Sequence, residues 1–127
     1  MSGKPILLIY DGHGSHEKYK LLRLAKKHNI ILFSLPPHTT HKLQPLDVGI
    51  FGPFARAWTE RCDDYMEEHL EEIPRDQFVK HYMEAQQKAF KATTIRAAFQ
   101  KSGVWPINHN LFKDADFASS ISTSSMA

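Results

Sequence analysis

ILLIYDGHGSHEKYKLLRLAKKHNIILFSL, residues 6–35, carries the order of elements that decides the architecture. Ile6 to Tyr10 is short, continuously apolar and bounded by Pro5 and polar residues, which is the pattern of a buried strand. Asp11-Gly12-His13-Gly14-Ser15-His16 reads as a turn, with two glycines free to take positive φ. From Lys18 to His28, Tyr19, Leu22 and Ala25 recur at three-residue steps with Leu21 beside them, and lysines fill the gaps, as in an amphipathic helix. Asn29 closes that helix. Ile30 to Leu35 is a second apolar run and a second expected buried strand. Strand, crossover helix and strand form a βαβ unit, so the two strands are expected to be adjacent and parallel. The fold class is α/β.

Beyond Leu35 the chain becomes helical. Pro36-Pro37 stops the strand, and the polar loop His38-Thr39-Thr40-His41 leads to Leu43-Gln44-Pro45-Leu46-Asp47-Val48-Gly49. After Pro53, the residues Phe54, Trp58, Cys62, Tyr65 with Met66, and Leu70 step by three or four for five turns. Pro53 fits the first turn of that helix, where amide donors have no helical partner. Pro74 opens another helix, with Phe78, Tyr82, Ala85 and Ala89 on one face. Thr93 or Thr94 is a candidate cap for a third, which Gly103 ends as the left-handed residue after its C-terminus. The Ser- and Thr-rich residues from Ser119 onward have little to bury and are expected to be disordered.

Composition narrows the function classes. The chain has 127 residues, 42% hydrophobic and 24% charged, an ordinary composition for one globular domain. It has no apolar run long enough to span a bilayer and no apolar signal-peptide core, so no membrane partner is expected. A single cysteine, Cys62, excludes an internal disulfide and any multi-cysteine zinc site. The formal charge of +2 conceals strong segregation. Residues 1–58 carry eight Lys or Arg against three acids, residues 59–74 one against seven, and residues 75–112 six against two. Two basic zones around an acidic block suit a polyanionic partner, although solvated helix faces give the same pattern.

Two carboxylates stand where chemistry is placed in parallel sheets. Asp11 succeeds the first strand directly, and Asp47 succeeds the second after a short loop, at or near the start of a helix. Neighbouring parallel strands end at the same sheet edge, where ligand sites gather. Converging carboxylates suit Mg²⁺, a hard ion that takes oxygen ligands. Alone, a strand-end aspartate is commonly a turn or cap residue.

The wording around these aspartates is more specific. LLIYDGHGSH (7–16) and LFSLPPHTTHKLQPLDVGIFGPF (32–54) resemble the second and third acidic motifs of the DDE superfamily of endonucleases, in the pogo, Tigger and jerky branch of transposases and its fungal form. FVKHYMEAQQKAFKATTIRAAFQKSGVWPINHNLF (78–112) and DFASSISTS (116–124) resemble the C-terminal part of the same catalytic domain. The resemblance implies a partial RNase H-like fold over residues 4–112, two parallel strands with a crossover helix and then a helical region, with a tail at 113–127. It implies Asp11 and Asp47 as the second and third catalytic metal ligands, Mg²⁺ or Mn²⁺ as cofactor, DNA as partner, and the nucleus as location. It also implies a first aspartate well upstream of Asp11, whereas only ten residues precede Asp11 here. The chain alone is therefore expected to be catalytically incompetent, with another chain as one source of the missing strands. A non-enzymatic DNA-binding derivative and a decayed transposon remnant are the alternatives.

The remaining polar residues allow two readings each. Lys18, Lys20, Arg23, Lys26 and Lys27 can hold a phosphate backbone without reading sequence, or can be solvated helix surface. His38 and His41 can contact phosphates or hydrogen-bond the loop around the acidic site. With His13 and His16 they also make two H-x₂-H spacings, a weak zinc pattern without cysteines. Phe51, Trp58, Phe78, Tyr82, Phe90, Phe99 and Trp105 are expected in core packing rather than base stacking. The helices at 75–91 and 94–102 have the outline of a helix-turn-helix, but the resemblance assigns them to the catalytic domain.

Overall fold

A computed structural model of the chain describes residues 3–12 and 18–118. The chain divides into two compact units, residues 1–44 with 112–127, and residues 45–111.

The first unit contains the βαβ element. Strands β1 (Ile6–Asp11) and β2 (Ile30–Leu35) are parallel, in register from Ile6 opposite Ile30 to Asp11 opposite Leu35. Helix α1 (Lys18–Lys27) makes the crossover and packs on β2. The strand runs one residue further than its apolar stretch, so Asp11 is part of β1. The helix stops one residue earlier than expected, because Asn29 turns the chain with φ of 55°. Asparagine tolerates that left-handed conformation. Its side-chain amide donates to the Gly3 carbonyl at 3.1 Å and its own carbonyl accepts from the Ile6 amide at 3.1 Å. Asn29 thus ties the start of β1 to the start of β2.

The strands are not buried as their apolar runs suggest. Leu35 is buried, but Ile6, Leu7, Ile31 and Phe33 are each more than half exposed, and Leu8 nearly so. Continuous apolar strands belong to sheets covered on both faces and flanked by further strands. Among the described residues the sheet has two strands, with α1 packed on β2, so much of that apolar surface has no cover. After β2 come the short helix α2 (Thr40–Leu43) and, at the far end of the unit, a 3₁₀ turn (Asp114–Phe117). Lys42 joins them, 3.7 Å from the Asp116 carboxylate and 6.0 Å from the Phe112 ring centre. Of the expected tail, residues 119–127 lie outside the described residues.

The second unit is helical: a π-helical turn (Leu46–Ile50) runs straight into α3 (Phe51–His69), and then come α4 (Phe78–Ala89) and α5 (Ala92–Lys101). Its buried residues are mostly small: Ala57 on α3, Ala85 and Ala89 on α4, and Ala98 on α5, with Ile50, Tyr65, His81 and Ser102. The large aromatics line the α3–α4 seam. Phe54 meets Tyr82 edge-on at 5.0 Å, and Trp58 meets Phe78 edge-on at 5.1 Å. Phe78 and Tyr82 remain more than a third exposed, so the expected apolar face of α4 is a half-open rim around the alanines. Phe51 and Trp105, at 48% and 70% exposure, are not core residues. Phe51 lies where the π-turn meets α3, and Trp105 lies in the turn after α5, with little packed over either.

Polar contacts cross the same seam. Arg61 Nε donates to His81 Nδ1 at 2.9 Å and lies 3.1 Å from Glu84 Oε2. Because an arginine nitrogen only donates, His81 Nδ1 is the acceptor and the ring proton sits on Nε2. Nε2 is buried without a hydrogen-bond partner among the described residues. Lys88 donates to Glu60 further along the seam, which holds that carboxyl below its ordinary range and the ammonium above. Burial, reinforced by Asp63, pushes the Cys62 thiol up.

The helix ends match expectation unevenly. Gly103 takes φ of 70° just beyond α5, as its place after the helix predicts. Lys91, in extended conformation, is the N-cap of α5 and makes no side-chain cap, so Thr93 and Thr94 fall inside the helix. α3 stops one residue before the end of its apolar stripe: Leu70 is left-handed at φ of 58° and 86% exposed. A left-handed residue with a side chain costs about 1–2 kcal/mol, and this one gains nothing from burial. Leu70→Gly is expected to raise unfolding stability in urea by about 1 kcal/mol. Arg61→Leu removes the donor to buried His81 and the partner of Glu84, and is expected to lower it by about 1–3 kcal/mol in the same measurement.

Candidate metal and nucleic-acid site

Asp11 is the last residue of β1, exposed, opposite Leu35 at the end of β2. The next residue, Gly12, is fixed by sterics. A Cβ there would lie 2.6 Å from Ser34 Oγ and 3.0 Å from the Leu35 carbonyl oxygen. Gly12 does not have positive φ, so the requirement is space rather than the left-handed freedom that its turn position suggests. His13 and His16 lie outside the described residues.

The loop between β2 and α2 is organised by Thr39. Thr39 is buried, and its hydroxyl donates to the Pro36 carbonyl at 2.7 Å. Its carbonyl accepts from the Lys42 and Leu43 amides at 3.0 and 2.9 Å. Next to it His38 is held at φ of 59° and is exposed, and His41 is exposed on α2. Sequence alone does not single out Thr39, because a Thr before a short helix looks like a cap. In fact its side chain closes the preceding loop and makes no cap bond.

Asp47 lies in the first turn of the next helical run, exposed to solvent, on the π-turn. The turn is wider than an α-helix: the Phe51 amide reaches back to the Leu46 carbonyl, five residues earlier. Pro53 explains the widening. It lacks an amide proton, and its ring would collide with the carbonyl four residues back, that of Gly49. Pro53 is the third residue of α3, as its first-turn placement predicts, but the helical path begins before it, at Leu46.

The basic residues of α1 separate into two groups. Lys20, Arg23 and Lys27, with Leu24, line a shallow open cleft on one helix face. Lys26 is exposed off that cleft, and Arg23 stands 6.0 Å from the Tyr19 ring centre. Lys18 opens the helix. The helix pair α4 and α5 places its small residues inward, Ala85 and Ala89 on one and Ala98 on the other, with Arg96 and Lys101 exposed. α4 packs on α3, and α5 packs on the π-turn.

A family model described as DDE superfamily endonuclease matches residues 1–99. The chain belongs to the DDE superfamily of endonucleases. Both segments that carry aspartates in this DDE chain lie within the match. A relative, the MFS-type transporter clz9 of Cochliobolus lunatus, is 35% identical over 105 residues, covering 83% of this chain and 11% of that protein. The DDE chain thus spans about a tenth of that relative's length. Among its own described residues, no helix is long and apolar enough to cross a membrane. No solved structure matches it.

Each aspartate, taken by itself, has the oxygen chemistry of the divalent metal that the DDE family implies. Asp11 and Asp47 offer hard carboxylate oxygens, each exposed and at the end or start of a regular element. Among the described residues no group of three or more His, Cys, Asp or Glu gathers into a ligand cluster. Mg²⁺ needs no such cluster, since it keeps waters and takes one or two carboxylates together with substrate phosphates. A zinc site from His38 and His41 finds no third ligand among the described residues. The loop that precedes Asp47 depends on one buried hydroxyl, and Thr39→Val is expected to lower unfolding stability by about 1 kcal/mol in thermal or urea denaturation.

Proposed function

We propose that this chain supplies two of the metal-holding carboxylates of a transposase-type DDE endonuclease, Asp11 and Asp47, and that its substrate is DNA. The observation that carries the reading is their placement inside the matched family segment: one aspartate closes a parallel strand, and the other opens the helical run after the neighbouring strand. When bound there, Mg²⁺ or Mn²⁺ supplies charge stabilisation to the attacking and leaving oxygens of a phosphodiester. Asp11 and Asp47 would each offer a carboxylate to the ion, and the Lys20, Arg23 and Lys27 face of α1 would hold the DNA backbone, with Lys18, Lys26, His38 and His41 as further phosphate contacts. The family chemistry is strand cleavage and transfer, work done in the nucleus.

Two of three carboxylates do not complete such a site. These 127 residues by themselves are proposed to bind metal and DNA without turnover. The uncovered apolar surface of β1 supports the addition of a further strand to the sheet, one that brings the remaining carboxylate. The exposed cationic face of α1 equally supports a non-enzymatic DNA-binding role, which shares the DNA contacts and dispenses with the metal.

Mn²⁺ titration monitored by backbone amide NMR separates these readings. Paramagnetic broadening is expected around Asp11 and Asp47, and each locus is expected to lose it in its own Asp→Asn variant. Broadening at neither aspartate would refute the metal site and leave the DNA-binding role. Duplex binding is expected to weaken with salt. Replacing Lys20, Arg23 and Lys27 together by Gln should flatten the slope of log K against log[salt] by about 2–3, roughly one for each phosphate that these side chains neutralise. An unchanged slope would remove α1 from the DNA interface.

A further inference from the structure

We infer that Gly49 and Ala98 form a positioning pair that sets where the Asp47 carboxylate stands. This rests on the reading of Asp47 as a metal ligand and names what aims it. Gly49 is on the π-turn two residues after Asp47, and α5 crosses it at very short range. A Cβ on Gly49 would lie 2.7 Å from Ala98 Cβ and 2.8 Å from Ala98 Cα. Real Cβ atoms essentially never approach so closely, and the obstacle is backbone and a buried methyl rather than the tip of a flexible side chain. Ala98 is 1% exposed.

Of the two sides, the π-turn is the one that yields. Beyond Ala98, the end of α5 is closed by its own bonds: the Ser102 amide donates to the Ala98 carbonyl at 3.1 Å, and the buried Ser102 hydroxyl to the Phe99 carbonyl at 3.0 Å. Gly103 then turns the chain against Leu111, whose Cδ2 would be 3.2 Å from a Cβ placed there. Within the π-turn, Pro53 deprives the Gly49 carbonyl of its α-helical donor, and Asp47 stands exposed two residues before the contact. Crowding at Gly49 therefore displaces the π-turn, and Asp47 moves with it. Gly52 is the natural comparison, three residues on along the same helical path. A Cβ there meets only Arg56 Nη1, the end of a flexible side chain, at 3.8 Å.

The test measures Mn²⁺-induced broadening at the amides flanking Asp47 in the full chain and in Asp47→Asn, Gly49→Ala, Gly52→Ala, Ala98→Gly and the double variant Gly49→Ala/Ala98→Gly. Thermal unfolding is recorded for each. Gly49→Ala is expected to weaken Mn²⁺ binding at Asp47 by about 10–100-fold, the usual cost of losing a group that orients a metal ligand. Gly52→Ala is expected to leave it unchanged. The double variant removes the 2.7 Å methyl contact and leaves the Ala98 Cα at 2.8 Å, so it is expected to regain part of the affinity while melting below the parent, because it leaves a glycine inside α5. Recovery of binding without recovery of stability is what a purely structural role would not produce. If Gly49→Ala fails to fold, Ala98→Gly alone decides, since it removes the methyl on which Gly49 rests: weakened Mn²⁺ binding at Asp47 supports the pair, and unchanged binding overturns it. Asp47→Asn losing the signal while Gly49→Ala keeps it would overturn the pair alone. Asp47→Asn keeping the signal would overturn the metal reading and the pair with it.

Discussion

The second unit depends on how closely helix backbones approach one another. Ala57, Ala85, Ala89 and Ala98 are buried in it and offer no more than a methyl group each, and Gly49 lies directly under Ala98. Interhelix distance follows side-chain size at the contact. Alanines at the seam therefore bring α3 and α4 together, and the glycine lets α5 press on the π-turn. Phe54, Trp58, Phe78 and Tyr82 meet edge to face along the outer part of the α3–α4 seam, while the rings of Tyr65 and His81 are buried within it. A core of this kind has little slack, because added volume falls on main-chain atoms rather than on side chains able to change rotamer.

The same closeness limits how far the amino-acid order can be read. The βαβ unit is legible because strand and helix differ in period: ILLIY and IILFSL are continuous runs, and Tyr19, Leu22 and Ala25 recur in threes. The parallel pairing and the place of Asp11 at its end come from that order. Burial is less legible. Apolar periodicity identifies the face a residue belongs to, but the depth of that face depends on what covers it. Phe78 and Ala85 share a face of α4, and only the alanine is buried. Ile6 and Leu7 have the composition of a covered strand and lie mostly exposed. His81 and Thr39 are invisible for a different reason. Each is held by a partner chosen in three dimensions or by local loop closure, Arg61 for one and the Pro36 carbonyl for the other.

The π-turn shows a conflict between neighbouring residues resolved by geometry. Pro53 and Gly49 are four apart, the spacing at which a proline disrupts an α-helix, and the chain continues by widening one turn. Widened turns are concentrated at functional sites in proteins generally. Here the turn carries Asp47, the carboxylate most specifically marked by its sequence neighbours. The motif LDVGIFGP then acts as one mechanical unit: the proline forces the widening, the first glycine fits it under α5, and the aspartate is left outward.

The acidic block acts at long range rather than by contact. Asp63, Asp64, Glu67, Glu68, Glu71 and Glu72 are all exposed along the second half of α3 and just beyond it, while Arg56 stands in its first half and Glu60 and the half-buried Arg61 at its middle. The side-chain charges therefore form an electric dipole of the same sense as that of the peptide groups, positive towards the N-terminus, so the two add. In dilute salt such a dipole exerts a torque on an approaching polyanion before any atom touches. Taken alone, α3 repels a polyanion at its Glu71 end more than at the end that begins at Phe51. Raising the ionic strength shortens the reach of that torque to a few ångströms and leaves arrival to chance.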